Sequence, residues 1–211
     1  MRLGVFGGTF DPPHRAHVAV AAAARDALGL DLVEMIPSAR PPHRGRATAD
    51  AFERLVMTAL GCLDEPRVVS SPREIRRGST SFTVDTLREI GQEHAEAELY
   101  LILGGDGYDD LPHWRDPHTI LRLAHLAVIA RPGSDGLDAV RAADRPRLRE
   151  AGQPPPEGAQ AVYRVPMEPL AVSSRAIRRR LRAGEDPGDA LPELVHRFIS
   201  KHQLYRDRDS D

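Results

Sequence analysis

Short runs rich in β-branched and aliphatic residues recur along this chain at positions 2–6, 32–36, 67–71, 98–103, 125–130 and 161–165, each bounded by Gly, Pro or polar residues. Between them the apolar residues take up helical spacing, at 17–28, 50–63, 83–94, 117–123, 176–183 and 191–202. This alternation is the strongest constraint on the fold. A run such as Leu126-Ala127-Val128-Ile129 offers water no polar face, so it suits a strand covered on both sides. The expected architecture is therefore α/β, with a central parallel sheet and helices on both faces. In such sheets ligands bind at the carboxyl ends of the strands.

A chain of 211 residues with 41% apolar side chains can bury a sizeable core, and a single domain over 1–211 is expected. Two stretches fall outside the alternation. Positions 37–49, rich in Pro, Arg and His, and 133–158, with the run Pro154-Pro155-Pro156, read as surface loops. The second reads as a surface insertion able to hold a short helix around 137–148, and 173–205 reads as a C-terminal helical part. Lys and Arg number 29 against 31 Asp and Glu, so the net charge of -2 gives no general attraction to nucleic acid or to an anionic membrane. No apolar stretch approaches the roughly 18–20 residues needed to span a bilayer. The single Cys62 cannot form an internal disulfide, and no charged-then-apolar leader precedes the first run, so a reducing cytoplasm is the expected setting.

The first run leads into Gly7-Gly8-Thr9-Phe10-Asp11-Pro12-Pro13-His14-Arg15-Ala16-His17, after which the helical pattern begins. Adjacent glycines keep the backbone free of side chains, so N–H groups can approach phosphate oxygens, and the positive end of the following helix points at the same place. Gly-Gly alone is a weak sign, because many α/β folds turn there for steric reasons. His14 and His17, three apart at a helix start, can share one face and donate to the same anion. A His pair also suits zinc, but no third ligand is evident near Cys62. Neither G-x-G-x-x-G nor G-x-x-x-x-G-K-[ST] occurs, which argues against dehydrogenases and P-loop NTPases.

A distant segment, Val172-Ser173-Ser174-Arg175-Ala176-Ile177-Arg178, follows the last strand-like run. Ser173 or Ser174 can cap a helix, with Arg178 one turn inside it and able to hold phosphate oxygens in a planar fork. Arg179, Arg180 and Arg182 read as a solvated face, since Ile177 and Leu181 at i, i+4 form the buried stripe.

With these segments in view, the chain resembles the bacterial nicotinate mononucleotide adenylyltransferases, over nearly its whole length. The loop from Gly7 to His17 is similar to the nucleotidyltransferase superfamily's G-G-T-F-D-P-x-H-x-G-H signature, and Val172 to Arg178 to its I-S-S-T-x-I-R signature. Three further segments resemble this particular family: Pro37-Ser38-Ala39-Arg40-Pro41-Pro42-His43-Arg44, Gly78-Ser79-Thr80-Ser81-Phe82-Thr83-Val84-Asp85-Thr86-Leu87, and Leu103-Gly104-Gly105-Asp106 continuing to Leu111 and Trp114. The chain departs from the signatures at Ala16 (Gly in the family), Phe82 (often Tyr), Arg44 (Lys) and Arg175 (Thr).

The resemblance implies a Rossmann-like central parallel β-sheet and the reaction of ATP with nicotinate mononucleotide to give the deamido dinucleotide and pyrophosphate. It implies Mg²⁺ carried by the ATP phosphates, with no dedicated metal site in the protein. It places ATP against Gly7, Gly8, Thr9, Phe10, His14, His17, Gly104, Asp106, Ser173, Ser174 and Arg178, with His17, His14 and Arg178 catalytic. His17 would meet the α-phosphate and Asp106 a ribose hydroxyl, although Asp106 also suits a helix N-cap. The mononucleotide would meet His43, Arg44, Phe82, Thr83 and Trp114, with Trp114 against the pyridine ring and Thr83 at the carboxylate. On composition alone Trp114 reads as core. The implied partners are ATP and nicotinate mononucleotide, without nucleic acid or membrane, and homo-oligomerisation is left open. Rival expectations are a related enzyme with an amidated or phosphopantetheine acceptor, and a nucleotide sensor without turnover.

Overall fold

The computed structural model describes residues 1–40, 47–129, 141–168 and 170–206. In chain order the elements are β1 (Arg2–Gly8), α1 (Arg15–Leu28), β2 (Leu32–Pro37), α2 (Ala51–Cys62), β3 (Val68–Ser70), α3 (Arg73–Arg77), α4 (Thr83–Glu93) and β4 (Glu98–Gly104). They continue with α5 (Gly105–Asp110), α6 (Pro117–Leu123), β5 (His125–Ile129), β6 (Leu148–Glu150), β7 (Val162–Val165), α7 (Ser174–Arg182) and α8 (Glu193–His202). Seven strands form one sheet in the order β3-β2-β1-β4-β5-β7-β6, and every pairing is parallel.

Parallel strands need helical crossovers, which cover the sheet and exclude water from both faces. All five residues of β5 are accordingly buried. On one face Ala21, Ala24 and Leu28 of α1 pack against Phe6, Met35, Ile102 and Tyr163. On the other, Val84, Leu87 and Ile90 of α4 and Ile120 of α6 meet Leu3, Val5, Leu101 and Val128. A third cluster joins Met57 of α2 to Ile177 and Leu181 of α7 and to Val195 and Ile199 of α8, so the C-terminal helices are anchored beside the first strands.

The order of the strands locates a crevice. From β1 the chain builds outward to β2 and β3 on one side, while β4 starts the other side, so the direction of winding reverses between β1 and β4. Those two strands pair from Arg2–Glu98 to Val5–Leu101 and no further, whereas β1 stays paired with β2 as far as Gly8. Gly8 and Gly104, each three residues beyond the last pair, flank the opening. This is where an open α/β sheet binds ligands.

The structure departs from the sequence expectations at short elements. Helices α3 and α5 are one to two turns long, too few residues for an apolar period to register. Within the stretch expected as a surface insertion, 142–147 form a 3-10 turn and β6 pairs with β7 as an edge strand. Leu148-Arg149-Glu150 lies at the edge, mostly half-exposed, and so lacks the continuous apolar run that marks the inner strands. The last helix starts at Glu193, after Pro192, and not at Leu191. Among the described residues, no helix is long and apolar enough to cross a membrane.

Candidate active site

Gly7 and Gly8 are the last residues of β1, and the loop between β1 and α1 turns back over them. A Cβ on Gly8 would lie 2.7 Å from the Phe10 ring, so glycine at this position is what lets Phe10 fold inward. Phe10 adopts a positive φ of 49° and its ring meets Phe6 edge-on at 5.5 Å and His17 at 5.0 Å. The Asp11–Pro12 peptide is cis.

Helix α1 begins two residues earlier than the apolar pattern suggested, which makes His14 its N-cap and places His17 in its first turn. The two rings stack at 3.6 Å. The His14 amide donates to Nδ1 of His17 at 3.2 Å, and the His17 amide donates to the His14 carbonyl at 2.9 Å. An accepting Nδ1 puts the His17 ring proton on Nε2, so this side chain carries an N–H donor on its far edge. His14 is buried, and its Nδ1 has no hydrogen-bond partner among the described residues. Burial pushes the His14 pKa down to about 4, only partly opposed by a backbone hydrogen bond, so the ring is neutral at physiological pH.

This shift carries a test with a definite sign. Between about pH 4 and 6.5 the unfolded chain protonates this histidine and the folded chain does not. Its contribution therefore leaves stability intact above pH 6.5 and removes it progressively as pH falls towards 4, by a total of about 3 kcal/mol. Burial also lowers the His125 pKa, so the wild-type slope is shared. Comparing Tm against pH for wild type and His14→Asn isolates one share: the variant is expected to lose less stability between pH 7.5 and 5.

Helix α7 supplies the second wall. Ser173 is its N-cap, the hydroxyl oxygen accepting from the Ala176 amide at 3.2 Å. Ser174 donates through Oγ to the Pro12 carbonyl at 2.9 Å. Arg178 donates to the Asp11 carbonyl at 2.5 Å and lies 3.8 Å from the Asp11 carboxylate. The start of α7 is thus fastened to the loop before α1 across more than 160 positions of sequence. Arg179, Arg180 and Arg182 are exposed while Ile177 and Leu181 are buried, as the stripe predicted.

Asp11 is the hub of this arrangement, a role that its place in the sequence did not reveal. Its carboxylate accepts from the Thr48 amide at 2.8 Å, the Ala49 amide at 3.0 Å and the Tyr205 hydroxyl at 2.8 Å. Burial, with the Asp11 charge beside it, holds the Tyr205 hydroxyl well above its ordinary pKa and so protonated as the donor. Arg54 was also missed. It sits on the buried face of α2 with Met57, Thr58 and Gly61, and an arginine at a core position of an apolar stripe was the available signal.

Gly104, at the end of β4, is the N-cap of α5, and Asp106 lies exposed inside the first turn. The N-cap reading of Asp106 is therefore corrected, because α5 begins at Gly105, two residues earlier than a cap at Asp106 would require. Gly107 of α5 borders Trp114, which is half-buried and donates from Nε1 to Asp110 at 3.1 Å. Trp114 and Phe82 pack against the same apolar cluster. Phe82 is the N-cap of α4 and Thr83 its first residue, with the Arg115 guanidinium 4.6 Å above the Phe82 ring. Trp114 is thus neither fully core nor fully free.

The Gly8 loop and the α4 start are linked through Ser38 and Ala39. The Ser38 amide donates to the Gly8 carbonyl at 2.9 Å, and the Ala39 amide donates to Ser81 Oγ at 2.9 Å. His43 and Arg44 lie outside the described residues. Cys62 is buried in the core beside Met35, and burial pushes its thiol up to about 12. Among the described residues, no three His, Cys, Asp or Glu side chains gather as a metal site. The site can present the imidazoles of His14 and His17, a guanidinium, hydroxyls and two helix N-termini to an anion, and the half-buried indole of Trp114 lies beside α5, which follows β4.

Comparison with known proteins shows the family and the fold. Residues 5–180 match the model of the family described as cytidylyltransferase-like. A "Probable nicotinate-nucleotide adenylyltransferase" of Herpetosiphon aurantiacus is 36% identical over 204 residues, covering 97% of this chain and 98% of that protein. A relative of the same description from Albidiferax ferrireducens is 39% identical over 208 residues, covering 97% and 98%. Among solved structures, the Plasmodium falciparum nicotinic acid mononucleotide adenylyltransferase complexed with NaAD shares the fold, with a TM-score of 0.74 at 16% identity and 97% of each chain covered. The parallel sheet, the two helix starts joined at Asp11 and Pro12, and relatives aligned end to end lead to one assignment: the chain belongs to the nicotinate-nucleotide adenylyltransferase family, within the cytidylyltransferase-like proteins.

Proposed function

We propose that this chain transfers the adenylyl group of ATP to the phosphate of nicotinate mononucleotide, releasing pyrophosphate and nicotinate adenine dinucleotide. The observation that carries the reading is the fastening of α7 to the loop before α1 at the mouth of the β1/β4 crevice. That fastening brings the start of α7, with Arg178, to the loop that leads into His14 and His17, which supports a shared phosphate site at two helix N-termini, and the names of the aligned relatives supply the substrates.

The acceptor phosphate is already ionised at neutral pH, so attack on the α-phosphorus needs no general base. A bond forms from the acceptor oxygen to that phosphorus, and the bond to the oxygen bridging to the β-phosphate breaks, leaving pyrophosphate. The protein's contribution is placement and charge. The backbone of Gly7, Gly8, Thr9 and Phe10 lies along the triphosphate, His17 directs its Nε2–H to the α-phosphate, and His14, Ser173, Ser174 and Arg178 hold the departing phosphates. Asp106, beside Gly104, takes a ribose hydroxyl. Trp114 stacks on the pyridine ring next to Phe82, Thr83 and the amides at the start of α4 receive its carboxylate, and His43 and Arg44 serve the mononucleotide phosphate.

Mg²⁺ fits this site as a passenger on the phosphates. The oxygens of Asp11 are taken up by two amides, a hydroxyl and Arg178, and Mg²⁺ readily keeps phosphate and water ligands. When bound it neutralises phosphate charge. Arg178 and the two imidazoles carry the part that the protein itself supplies.

The test is pyrophosphate release by purified protein with ATP and either nicotinate or nicotinamide mononucleotide. Nicotinate mononucleotide is expected to be the better acceptor by kcat/KM. Use of the amidated substrate better by more than about tenfold would overturn the acceptor assignment.

A further inference from the structure

The best-buried cation in the described residues lies directly beneath the crevice. Arg54 is 1% exposed, and its guanidinium donates only to backbone carbonyls: Thr9 at 2.7 Å, Ser38 at 2.7 Å and Ala49 at 3.3 Å. Among the described residues it forms no ion pair. Asp11 is close enough to be felt, yet Asp11 is also engaged by Arg178, so two guanidinium groups share one carboxylate. Burying an arginine without a directly paired carboxylate is costly, because the charge leaves water and is met by carbonyl dipoles and by carboxylates acting only from a distance, Asp11, Asp50 and Glu74. A carbonyl cage on the apolar stripe of α2 could have been avoided with a methionine like Met57. The fold keeps the charge.

Two of the three carbonyls belong to the walls of the site. Thr9 is in the loop after β1, and Ser38 is the residue whose amide closes onto Gly8. Arginine's rigid fork suits this task, since one planar group can hold several carbonyls in fixed relative positions. In a trans peptide the N–H points away from its own carbonyl, so drawing the Thr9 carbonyl down towards the guanidinium turns the Phe10 N–H away from it, while the N–H after the Ser38 carbonyl, that of Ala39, is held by Ser81 Oγ.

Resting on the adenylyl-transfer reading, we propose that Arg54 is a positioning residue for the triphosphate of ATP. It shapes the loop after β1 through the Thr9 and Ser38 carbonyls and leaves a buried positive charge that the bound phosphates complete. The nucleoside part of ATP gains nothing from it.

Equilibrium titration of purified wild type, Arg54→Met and Arg54→Lys with ATP in the presence of Mg²⁺, and separately with adenosine, tests this without turnover. Arg54→Met is expected to weaken ATP about tenfold or more, as for loss of a charged group acting on phosphates, while adenosine binding is unchanged. Arg54→Lys restores the charge without the fork and is expected to recover part of the ATP affinity. A folded Arg54→Met protein with wild-type ATP affinity overturns the inference, and so does equal weakening of ATP and adenosine, which marks a purely structural role. Should Arg54→Met fail to fold, Arg54→Lys carries the test: weaker ATP with unchanged adenosine supports the inference, and unchanged ATP overturns it. Wild-type protein that binds neither ligand overturns the adenylyl-transfer reading itself.

Discussion

Replacing His17 with Ala is expected to lower kcat about 10²- to 10³-fold, the loss typical of removing one preorganised donor from a developing charge. The geometry makes the assignment specific. His17 Nδ1 is occupied by the His14 amide, so the ring presents Nε2–H and is held there by stacking on His14 and by the Phe10 edge. A donor fixed in advance stabilises charge on the α-phosphate without reorganising when the reaction occurs. His17→Gln, whose terminal amide can reach a similar position, is expected to retain more activity than Ala. Pyrophosphate release under saturating substrates, with ATP affinity measured in parallel, separates a loss of rate from a loss of binding. Equal and near-zero rates in wild type and His17→Ala would instead favour a nucleotide sensor without turnover.

Arg178→Met is expected to lower kcat/KM for ATP by about 10²-fold, since hydrogen bonds to charged groups contribute about 1.5–3 kcal/mol and this side chain also anchors the loop. Arg178 reaches the Asp11 carbonyl from the second turn of α7, so its removal leaves that carbonyl without its donor and frees the loop that carries His14 and His17. Arg178→Lys keeps the charge but loses the planar fork, and only partial recovery is expected. Initial rates over a range of ATP at saturating acceptor give the comparison. A folded Arg178→Met protein with unchanged kcat/KM would remove α7 from the site. Its effect differs from that of Arg54, which touches carbonyls beneath the loop while Arg178 lies at its mouth.

The long elements were legible from residue pattern because each carries enough of its own signal. Strand β5 is apolar at every position, and a strand covered on both faces cannot be otherwise. Helix α7 shows Ile177 and Leu181 one turn apart with arginines opposite, and both leucine and isoleucine are buried. A serine cap at 173 or 174, of which the structure selects Ser173, and the placement of His14 and His17 at one helix start also followed from local chemistry. Edge strand β6 and the short helices α3 and α5 did not, because three to six residues hold too little periodicity to separate from a loop. Asp106 showed the same limit at finer scale: α5 starts at Gly105 with Gly104 as N-cap, two residues before a cap at Asp106, which puts Asp106 in the first turn.

Asp11, Arg54 and Tyr205 mark a different boundary. Asp11 is an acid before a proline and Tyr205 a tyrosine near the end, and Arg54 shows along the chain only that a charge falls on the apolar stripe of a helix, not what it meets. Their roles come from contacts with residues of other elements, as far as 194 positions away for Tyr205 on Asp11 and 45 for the Thr9 carbonyl on Arg54. Local pattern reports what a residue does to its own backbone and which face it turns inward, so it identified the parallel sheet, the loop after β1 and the serine-capped helix. Convergence of that helix on Asp11 and Pro12, and the burial of an arginine under the loop, depend on how the crossovers fold the chain back, because hydrogen bonds and desolvation act through space and not along sequence.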